Sequence, residues 1–297
     1  MRTEVICFTN NKGGSGKSTA CSNLGSALAR AGRRVLLVDG DMQMNLSLSF
    51  LEEERVLQYA AADGQNLWRA VRGERSLPEM ILKTGGDGPD LVAGSMQMSE
   101  IERELLARGT ESERVLSELL REVRAADRYD YILIDSPPTL GCWVRNILRA
   151  SDWAVIPVEA TPWGLFGLAN MMEFLRGMQE APVPDGGSRG KGPAEGRVTR
   201  PDIPSSPAEG ARRAACRSAQ LAGILVNKAD ERKNYYHQTM ETLAGMEDIP
   251  VFHTVIHIDS AVEWAQDASR TVTGWRRSSR SAREYAELAK EVEERCR

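Results

Sequence analysis

Near its start the chain carries a loop whose residue types suit the binding of phosphate. Residues 10–19 read N-N-K-G-G-S-G-K-S-T, and they follow the apolar run 5–8 and precede a helix-like segment. Consecutive glycines let the backbone N–H groups point at one anion, and a following helix adds the positive end of its dipole. In such a loop Lys17 reaches the terminal phosphates of a nucleotide, and the Ser18 hydroxyl takes one position on Mg²⁺. The order of strand, loop and helix favours this function over a flexible surface turn.

Carboxylates follow two further apolar runs, and both sets suit the same site. Asp39 and Asp41 come at the end of the run 35–38, where they could hold Mg²⁺ through water or orient an attacking water. Asp135 ends the run 131–134 and is followed by Ser-Pro-Pro, an arrangement in which a buried strand directs one carboxylate at the water shell of the metal. Acidic residues are common after strands, so each set alone is a weak signal. Together with the loop they predict a Mg²⁺–nucleotide site.

The order of elements around these residues predicts the fold. Apolar residues at helical spacing place a helix between the first two apolar runs, and Gly32 ends it. This strand–helix–strand unit implies an α/β fold with a doubly wound, mostly parallel sheet flanked by helices, which binds ligands at the carboxyl ends of its strands. Further strands are expected at 91–92, 154–158, 221–226 and 251–256, and helices at 67–71, 99–106, 111–126, 165–175 and 282–294.

The loop departs from the template G-x-x-x-x-G-K-[ST], since Asn11 takes the place of the first glycine and Lys12 is added. With this extra lysine it resembles the deviant Walker A motif of the ParA/MinD family of P-loop ATPases. The segment D-x-D-x-Q-x-N that begins at Asp39 and the run around Asp135 are similar to further motifs of that family, in the same order. The resemblance covers nearly the whole chain apart from residues 181–219.

The resemblance implies a role for each motif residue. Lys12 would cross the interface of an ATP-sandwich dimer, Asp41 would position or activate the hydrolytic water, and Asp39 would support the metal site. The expected catalytic residues are Lys12, Lys17 and Asp41, and the metal-side residues are Ser18, Asp39 and Asp135. The expected nucleotide-binding residues are Asn11, Lys12, Gly13, Gly14, Ser15, Gly16, Lys17, Ser18, Thr19 and Asn227. The expected cofactors are ATP and Mg²⁺.

Some positions bear on the base or depart from the family pattern. Asn227 begins N-K-x-D, which by analogy with GTPases would place Asp230 on guanine. Adenine is favoured, because the equivalent strand of the family commonly ends in Asn or a similar polar residue that contacts adenine. Met42 stands where the family has Pro, with little expected consequence. Residues 257–259 replace the usual Pro-Arg, which removes a basic residue near the nucleotide.

Positive charge is concentrated in the C-terminal region. The formal net charge of the chain is −4, so any DNA binding needs a local patch. Residues 270–283 include five arginines and Trp275 but no acidic residue, which suits phosphate contacts that are independent of base sequence. A solvated helix start is the alternative, and the family's binding of nonspecific DNA through this region favours DNA. The expected DNA-binding residues are Arg270, Arg276, Arg277, Arg280 and Arg283.

Length and composition limit the other classes. The 297 residues are interpreted as a single nucleotide-binding domain, 1–297, with a disordered Gly/Pro/Arg-rich insertion at 181–219. Five cysteines without C-x-x-C spacing indicate a reduced setting without structural zinc, and Cys142 is interpreted as a core residue. The start of the chain lacks the apolar stretch of a secretory signal. A cytoplasmic protein is therefore expected, and the resemblance to the ParA/MinD family implies association with the nucleoid.

The motifs favour one function and leave two alternatives. By the resemblance, the chain is expected to be a partition ATPase that forms a homodimer with ATP, binds nonspecific double-stranded DNA, and is released when a ParB-like partner stimulates slow hydrolysis. A MinD-like ATPase would need a membrane anchor, for which the final helix is too acidic, so no membrane contact is expected. A biosynthetic or metallocluster ATPase of the same superfamily would need a small-molecule pocket or paired cysteines.

Overall fold

A central sheet of seven strands organises residues 2–180, 218–246 and 248–296, which the computed structural model describes. The strands are β1 (Glu4–Phe8), β2 (Val35–Asp39), β3 (Ile81–Lys83), β4 (Asp90–Val92), β5 (Tyr131–Asp135), β6 (Trp153–Glu159) and β7 (Gln220–Asn227). Their spatial order is β3-β4-β2-β5-β1-β6-β7, and β3 alone of these strands runs antiparallel to its neighbour. The predicted α/β fold with a mostly parallel sheet is confirmed.

Helices connect the strands and cover both faces of the sheet. They are α1 (Lys17–Arg30), α2 (Asn45–Leu48), α3 (Glu53–Ala60), α4 (Leu67–Val71), α5 (Ile101–Ala107), α6 (Val115–Ala125), α7 (Cys142–Ala150), α8 (Pro162–Glu180), α9 (Asn234–Ala244), α10 (Ser260–Asp267), α11 (Val272–Trp275) and α12 (Arg280–Arg295). Two predicted helices, 99–106 and 111–126, begin instead as 3₁₀ segments, Met96–Glu100 and Gly109–Arg114. Across the described ranges, no helix has the length and apolar character needed to cross a membrane.

Alternating strand residues supply two apolar layers. In β1, Val5 and Cys7 face one layer while Ile6 and Phe8 face the other, and all four are fully buried. This is the pattern of a parallel strand covered on both sides, which reads in sequence as an unbroken apolar run. Helices α4 to α9 complete the first layer, and α1 to α3 with α10 to α12 complete the second.

The segment 251–256 is not the regular strand that its apolar residues predict. Among the described residues it pairs with β7 through one isolated bridge, between Val251 and Ile224, and a second bridge joins Ala229 to His257 just beyond the two segments. Phe252 and Ile256 are nevertheless buried, each 2% exposed. The apolar pattern therefore reports the burial of these side chains, whereas the backbone leaves the hydrogen-bonding ladder.

Most of the predicted insertion lies outside the described residues. Residues 181–217 belong to that part, whereas Ser218 and Ala219 lead into β7. Ala219 is 1% exposed, and its N–H donates to the carbonyl of Leu148 at 2.8 Å, near the end of α7. Strand β7 thus begins at the amino-terminal edge of the parallel sheet.

Candidate nucleotide site

The phosphate loop joins the end of β1 to the start of α1. Gly14 and Gly16 have φ angles of 78° and 86°, in the left-handed region that glycine adopts without a steric cost. A Cβ on Gly16 would also collide with the side-chain amide of Asn227. Gly16 directly precedes α1, so the first N–H groups of this helix open into the loop. These donors and the helix dipole suit an anion.

Lys17 is the first residue of α1, and only 6% of its surface is exposed. Its Nζ donates to the carbonyl of Lys12 at 3.3 Å. Burial lowers the pKa of Lys17, and the charges of Asp135 and Asp41 oppose that shift. An ammonium group between the loop and two carboxylates is therefore placed to meet the terminal phosphate of a nucleotide.

Two buried aspartates end neighbouring strands. Asp39 of β2 and Asp135 of β5 are paired in register, and both are fully buried. Asp39 accepts hydrogen bonds from the backbone N–H of Ser47 at 2.8 Å and from its hydroxyl at 2.6 Å. Asp135 accepts none of ordinary geometry from the described residues. Burial raises the pKa of Asp39 to about 6. Burial and then the charge of Asp39 raise the pKa of Asp135 well above its usual value.

The orphaned Asp135 carboxylate suits a hard cation. Buried polar groups normally have partners, and Mg²⁺ prefers oxygen ligands while keeping several waters. Ser18 and Lys17 lie close enough to Asp135 to oppose the rise of its pKa, although burial and Asp39 outweigh them. The Ser18 hydroxyl and the Asp135 carboxylate therefore fit Mg²⁺, with Asp39 fixed behind them.

Asp41 lies at the open side of the same edge of the sheet. One of its carboxylate oxygens accepts a hydrogen bond from the N–H of Gln43 at 3.0 Å. Both residues line a cleft of about 750 Å³, within the size range of small-molecule sites. The other walls come from the phosphate loop, α2, Asn227 with Lys228, residues 256–259, α10 and Tyr285. One cleft therefore holds the phosphate-binding and the hydrolytic candidates.

Lys12 is held by its own chain in this structure. Its Nζ pairs with Glu159 at 2.9 Å, and the other carboxylate oxygen of Glu159 lies 3.4 Å from Nζ of Lys228. Lys228 also donates to the carbonyl of Gly14 at 2.7 Å. Partial burial would raise the pKa of Glu159, but the two lysines outweigh it and lower that pKa. Glu159 thus joins Lys12 of the phosphate loop to Lys228, and the role of Lys12 across a dimer interface stays a prediction.

Asn227 lies against the phosphate loop. Its Nδ2 donates to the carbonyl of Ser15 at 3.1 Å, and its Oδ1 accepts from the N–H of Lys228 at 2.9 Å. Asp230, which a guanine site would use, accepts two hydrogen bonds from Arg232 at 2.8 and 2.9 Å. Arg232 thereby lowers the pKa of Asp230 to about 2. Asp230 is occupied by an ion pair, and the preference for adenine stays a prediction.

The family of the chain follows from comparison with known proteins. A model of the AAA domain family matches residues 3–184, which include the phosphate loop and both aspartate motifs. The chain belongs to the AAA domain family. It is 29% identical to the sporulation initiation inhibitor protein Soj of Bacillus subtilis over 97% of this chain and 98% of Soj. It is 25% identical to the chromosome partitioning protein ParA of Myxococcus xanthus over 98% of this chain and 88% of that protein.

A solved structure shares the fold of this AAA family member. The cobyrinic acid a,c-diamide synthase of Mycobacterium smegmatis with a bound ATP analogue and magnesium superposes with a TM-score of 0.72. The two are 22% identical over 97% of this chain and 93% of that one, so this likeness shows the fold alone. The resemblance to ParA-type ATPases that the loop and aspartate motifs indicate is confirmed by the Soj and ParA relatives.

The residues that replace the usual Pro-Arg of ParA-type proteins bind other protein groups. Asp259 caps α10 and accepts from the hydroxyl of Ser281, in the first turn of α12, at 2.8 Å. His257 lies between Glu231 and Glu284, each 2.7 Å from one ring nitrogen. These contacts fix this wall of the cleft to α12, where the family has a basic side chain.

The five predicted DNA-binding arginines of this AAA family member are all exposed, but their surroundings differ. Arg276 lies between two indole rings, 4.8 Å from the ring centre of Trp264 and 4.6 Å from that of Trp275. Arg280 is paired with two glutamates of its own chain, at 2.7 and 3.2 Å. Within the described part of the chain, the four without an ion pair are Arg270, Arg276, Arg277 and Arg283.

Several residues that support the site were not predicted from the sequence. Ser47 holds Asp39 from α2, and Glu159 pairs with Lys12 from the end of β6. The sequence signal for such residues is a polar side chain at or soon after the end of a buried strand. Which strand ends lie next to each other depends on the strand order, which the sequence leaves open. Cys142, expected in the core, is half-buried as the first residue of α7 and packs against the first apolar layer.

Proposed function

We propose that this protein binds ATP with Mg²⁺ and hydrolyses it to ADP and phosphate. The observation that carries the proposal is the meeting of buried Lys17 and half-buried Ser18, which line the cleft, with the orphaned, buried carboxylate of Asp135 beside them. The loop N–H groups and Lys17 bind the phosphates, and Asp41 orients a water whose oxygen attacks the terminal phosphorus as its bond to the leaving ADP oxygen breaks. A bound Mg²⁺ would neutralise charge that develops on the phosphate oxygens.

The nucleotide acts as a switch for DNA partition. Two copies pair when both hold ATP, and Lys12 of each then leaves Glu159 for the phosphates of the other. The dimer binds nonspecific double-stranded DNA, and hydrolysis stimulated by a ParB-like partner releases it, because the lost phosphate removes the preference for the dimer. The ParA relative named a chromosome partitioning protein supports this proposal, which places the protein on the nucleoid in the cytoplasm.

Exposed apolar side chains beside Lys12 support the pairing of two copies. Trp163 is 75% exposed and Phe166 is 64% exposed, both in the first turns of α8. Gly167, which follows them, approaches Lys12 so closely that a Cβ there would lie 3.4 Å from the Cβ of Lys12. A second copy seated here would bury large apolar groups and reach the lysine at once.

The final helix supports DNA over a membrane surface. Tyr285, Leu288 and Val292 form the apolar face of α12, and all three are fully buried in the layer shared with α1. A helix that lies in a membrane surface needs a free apolar face. The exposed side of the first turn of α12 and the residues that flank α11 carry the arginines instead, which suits contacts to phosphate.

Hydrolysis is tested by phosphate release from ATP with and without Mg²⁺. Wild type should release phosphate only with Mg²⁺, and Asp135→Asn should lose at least roughly tenfold in rate because the cation loses its carboxylate. Asp87→Asn removes the same charge from an exposed residue and serves as the control. An Asp135→Asn rate equal to that of wild type would contradict the assigned metal side.

DNA binding is tested on a nonspecific duplex with ATP, ADP or no nucleotide across a salt series. ATP alone should promote binding, binding should weaken steeply with salt, and the double change Arg276→Ala with Arg277→Ala should abolish it. Sedimentation of the same samples should show a dimer with ATP. The exposed pair Arg121→Ala with Arg128→Ala removes equal charge elsewhere and should bind as wild type does. If the protein binds DNA with neither ATP nor ADP nor without nucleotide, the proposed partition function is wrong and the proposed ATPase activity remains.

A further inference from the structure

Gly40, between the two aspartates that follow β2, is held on both sides. Its N–H donates to the carbonyl of Asp135 at 3.0 Å, and its own carbonyl accepts from the indole Nε1 of Trp143 at 2.9 Å. A Cβ at this position would lie 2.6 Å from the Asp135 carbonyl oxygen and 3.3 Å from Trp143 Nε1. Glycine alone fits here, and these two hydrogen bonds restrain a residue type that is otherwise the most flexible.

Trp143 is in turn fixed at the start of α7 by a residue from another helix. The carboxylate of Glu102, in α5, accepts from the N–H of Cys142 at 2.7 Å and from the N–H of Trp143 at 3.1 Å. A Cβ on Gly141 would collide with this carboxylate. Glu102 of α5 therefore caps the start of α7, where it satisfies two of the backbone N–H groups that a helix start leaves free.

These hydrogen bonds, from Glu102 through Trp143 to Gly40, lead to the next residue, Asp41. The backbone N–H of Asp41 meets Asp39 only at 3.3 Å, a long contact that restrains it weakly. The Trp143 bond to the preceding carbonyl is shorter, and Trp143 is fully buried, so water does not compete for it. The direction in which Asp41 leaves the sheet thus depends on an indole that Glu102 holds.

We propose that Trp143 and Glu102 are positioning residues for hydrolysis, acting on Asp41 through the Gly40 carbonyl; this rests on the proposed ATPase function. Within the described part of the chain, the hydrogen bonds of these two side chains and of the N–H groups that Glu102 caps go to α7 and Gly40, and none goes to the nucleotide-binding loop. Their loss should therefore slow the chemical step while leaving the binding of ATP as it is. A residue that merely fills the core would instead change stability, or binding and rate together.

The test compares kcat and KM for ATP among single variants. Trp143→Phe removes the N–H donor and keeps an aromatic ring, so kcat should fall roughly tenfold with KM within about two-fold of wild type. Glu102→Ala should act in the same direction, and Glu102→Gln, which keeps one acceptor oxygen, should recover part of the loss. Trp68→Phe is the matched control, since Trp68 is buried in the same apolar layer and should keep wild-type kcat.

Each outcome decides the proposal. Wild-type kcat in Trp143→Phe overturns it. So does a fall in kcat that is accompanied by a change in KM of more than about two-fold, or that the Trp68→Phe control shows as well. If Trp143→Phe does not fold, the half-buried Glu102 decides, and wild-type kcat in Glu102→Ala overturns the proposal. A wild-type protein that releases no phosphate overturns the proposed function itself, whereas hydrolysis that these variants leave unchanged overturns this inference alone.

Discussion

Asp39 and Asp135 sit side by side in the sheet but differ in their partners. Ser47 donates two hydrogen bonds to Asp39, and Asp135 receives none of ordinary geometry from the described residues. Burial raises the pKa of both carboxyls. Without a cation the folded protein therefore binds a proton at this pair more tightly than the unfolded chain does, and a bound cation would favour the charged carboxylates instead.

The first prediction concerns Asp39→Asn, which should become increasingly stabilising relative to wild type as pH rises. The folded pKa of Asp39 is about 6 against an ordinary value of 3.8. Between these values the unfolded chain loses its proton first, so wild-type stability falls with pH, while Asn does not titrate. The difference should be near zero around pH 4 and on the order of 3 kcal/mol above pH 7. Urea unfolding in EDTA without nucleotide measures it.

Asp130→Asn is the control with the opposite sign. A hydrogen bond from Arg34 lowers the pKa of Asp130. Wild type therefore gains stability as pH rises through the range in which Asp130 ionises, and Asp130→Asn should lack this gain. A pH-independent difference for Asp39→Asn would contradict the raised pKa.

At the residue scale, the sequence predicts side chains whose role follows from their near neighbours. Lys17 is recognisable from the glycines before it, and Asp135 from the apolar run that it ends. Glu159 is not recognisable in this way, because it meets Lys12 only through the folded sheet, 147 residues further along the chain. Contacts between distant strand ends require the strand order, which short motifs do not contain.

Among the elements, regular strands and long helices follow from apolar spacing, while short or irregular ones do not. The antiparallel strand β3 was not predicted, since Ile81–Lys83 offers three residues at the edge of the sheet and only one of them is buried. The segment 251–256 was wrongly predicted as a strand, because burial of Phe252 and Ile256 produces the same pattern without a ladder. Apolar spacing records what is buried, and the backbone pairing is a separate outcome.

The second prediction separates two glycines of the phosphate loop. The left-handed φ of Gly16 should make Gly16→Ala lower the free energy of unfolding by about 1–2 kcal/mol. The collision of the new Cβ with the Asn227 side chain should add a further loss. Gly13→Ala should change it by less than about 0.5 kcal/mol, since nothing lies within 4 Å of its Cβ position. Denaturant unfolding of the ligand-free protein measures both.

A double variant tests the cause of the Gly16 effect. Asn227→Ala removes the group that the new Cβ meets, so adding it to Gly16→Ala should recover part of the lost stability while the backbone cost remains. Equal losses in Gly13→Ala and Gly16→Ala would show that loop conformation is not what selects glycine at position 16.

For the whole molecule, the parallel sheet separates two edges. The phosphate loop, Asp41 and Asp135 follow the carboxyl ends of β1, β2 and β5, whereas α8 runs back across the sheet and β7 begins at the opposite edge. The described chain therefore stops at residue 180 and resumes at residue 218 on the side away from the cleft. This separation follows from topology and needs no knowledge of the segment itself.

The third prediction is that a short Gly–Ser linker in place of residues 181–217 leaves ATP hydrolysis within about two-fold of wild type. Phosphate release with Mg²⁺ measures it. The same linker inserted after Ala160, at the carboxyl end of β6, should abolish activity, because it separates Glu159 from α8 beside the loop. Loss of activity in the replacement would show that the segment reaches the chemistry despite where it is attached.

The same separation makes the protein suitable for surface attachment and for fluorescent labelling. A fluorescent protein or a biotin acceptor sequence placed between residues 180 and 218 would be carried on the far side of the sheet from the cleft and from Lys12. The molecule could then be anchored to a glass surface, or observed beside stretched DNA, with its nucleotide entrance open to the buffer. Single-molecule dwell times in ATP would then test the proposed binding to DNA and measure the lifetime of the bound state.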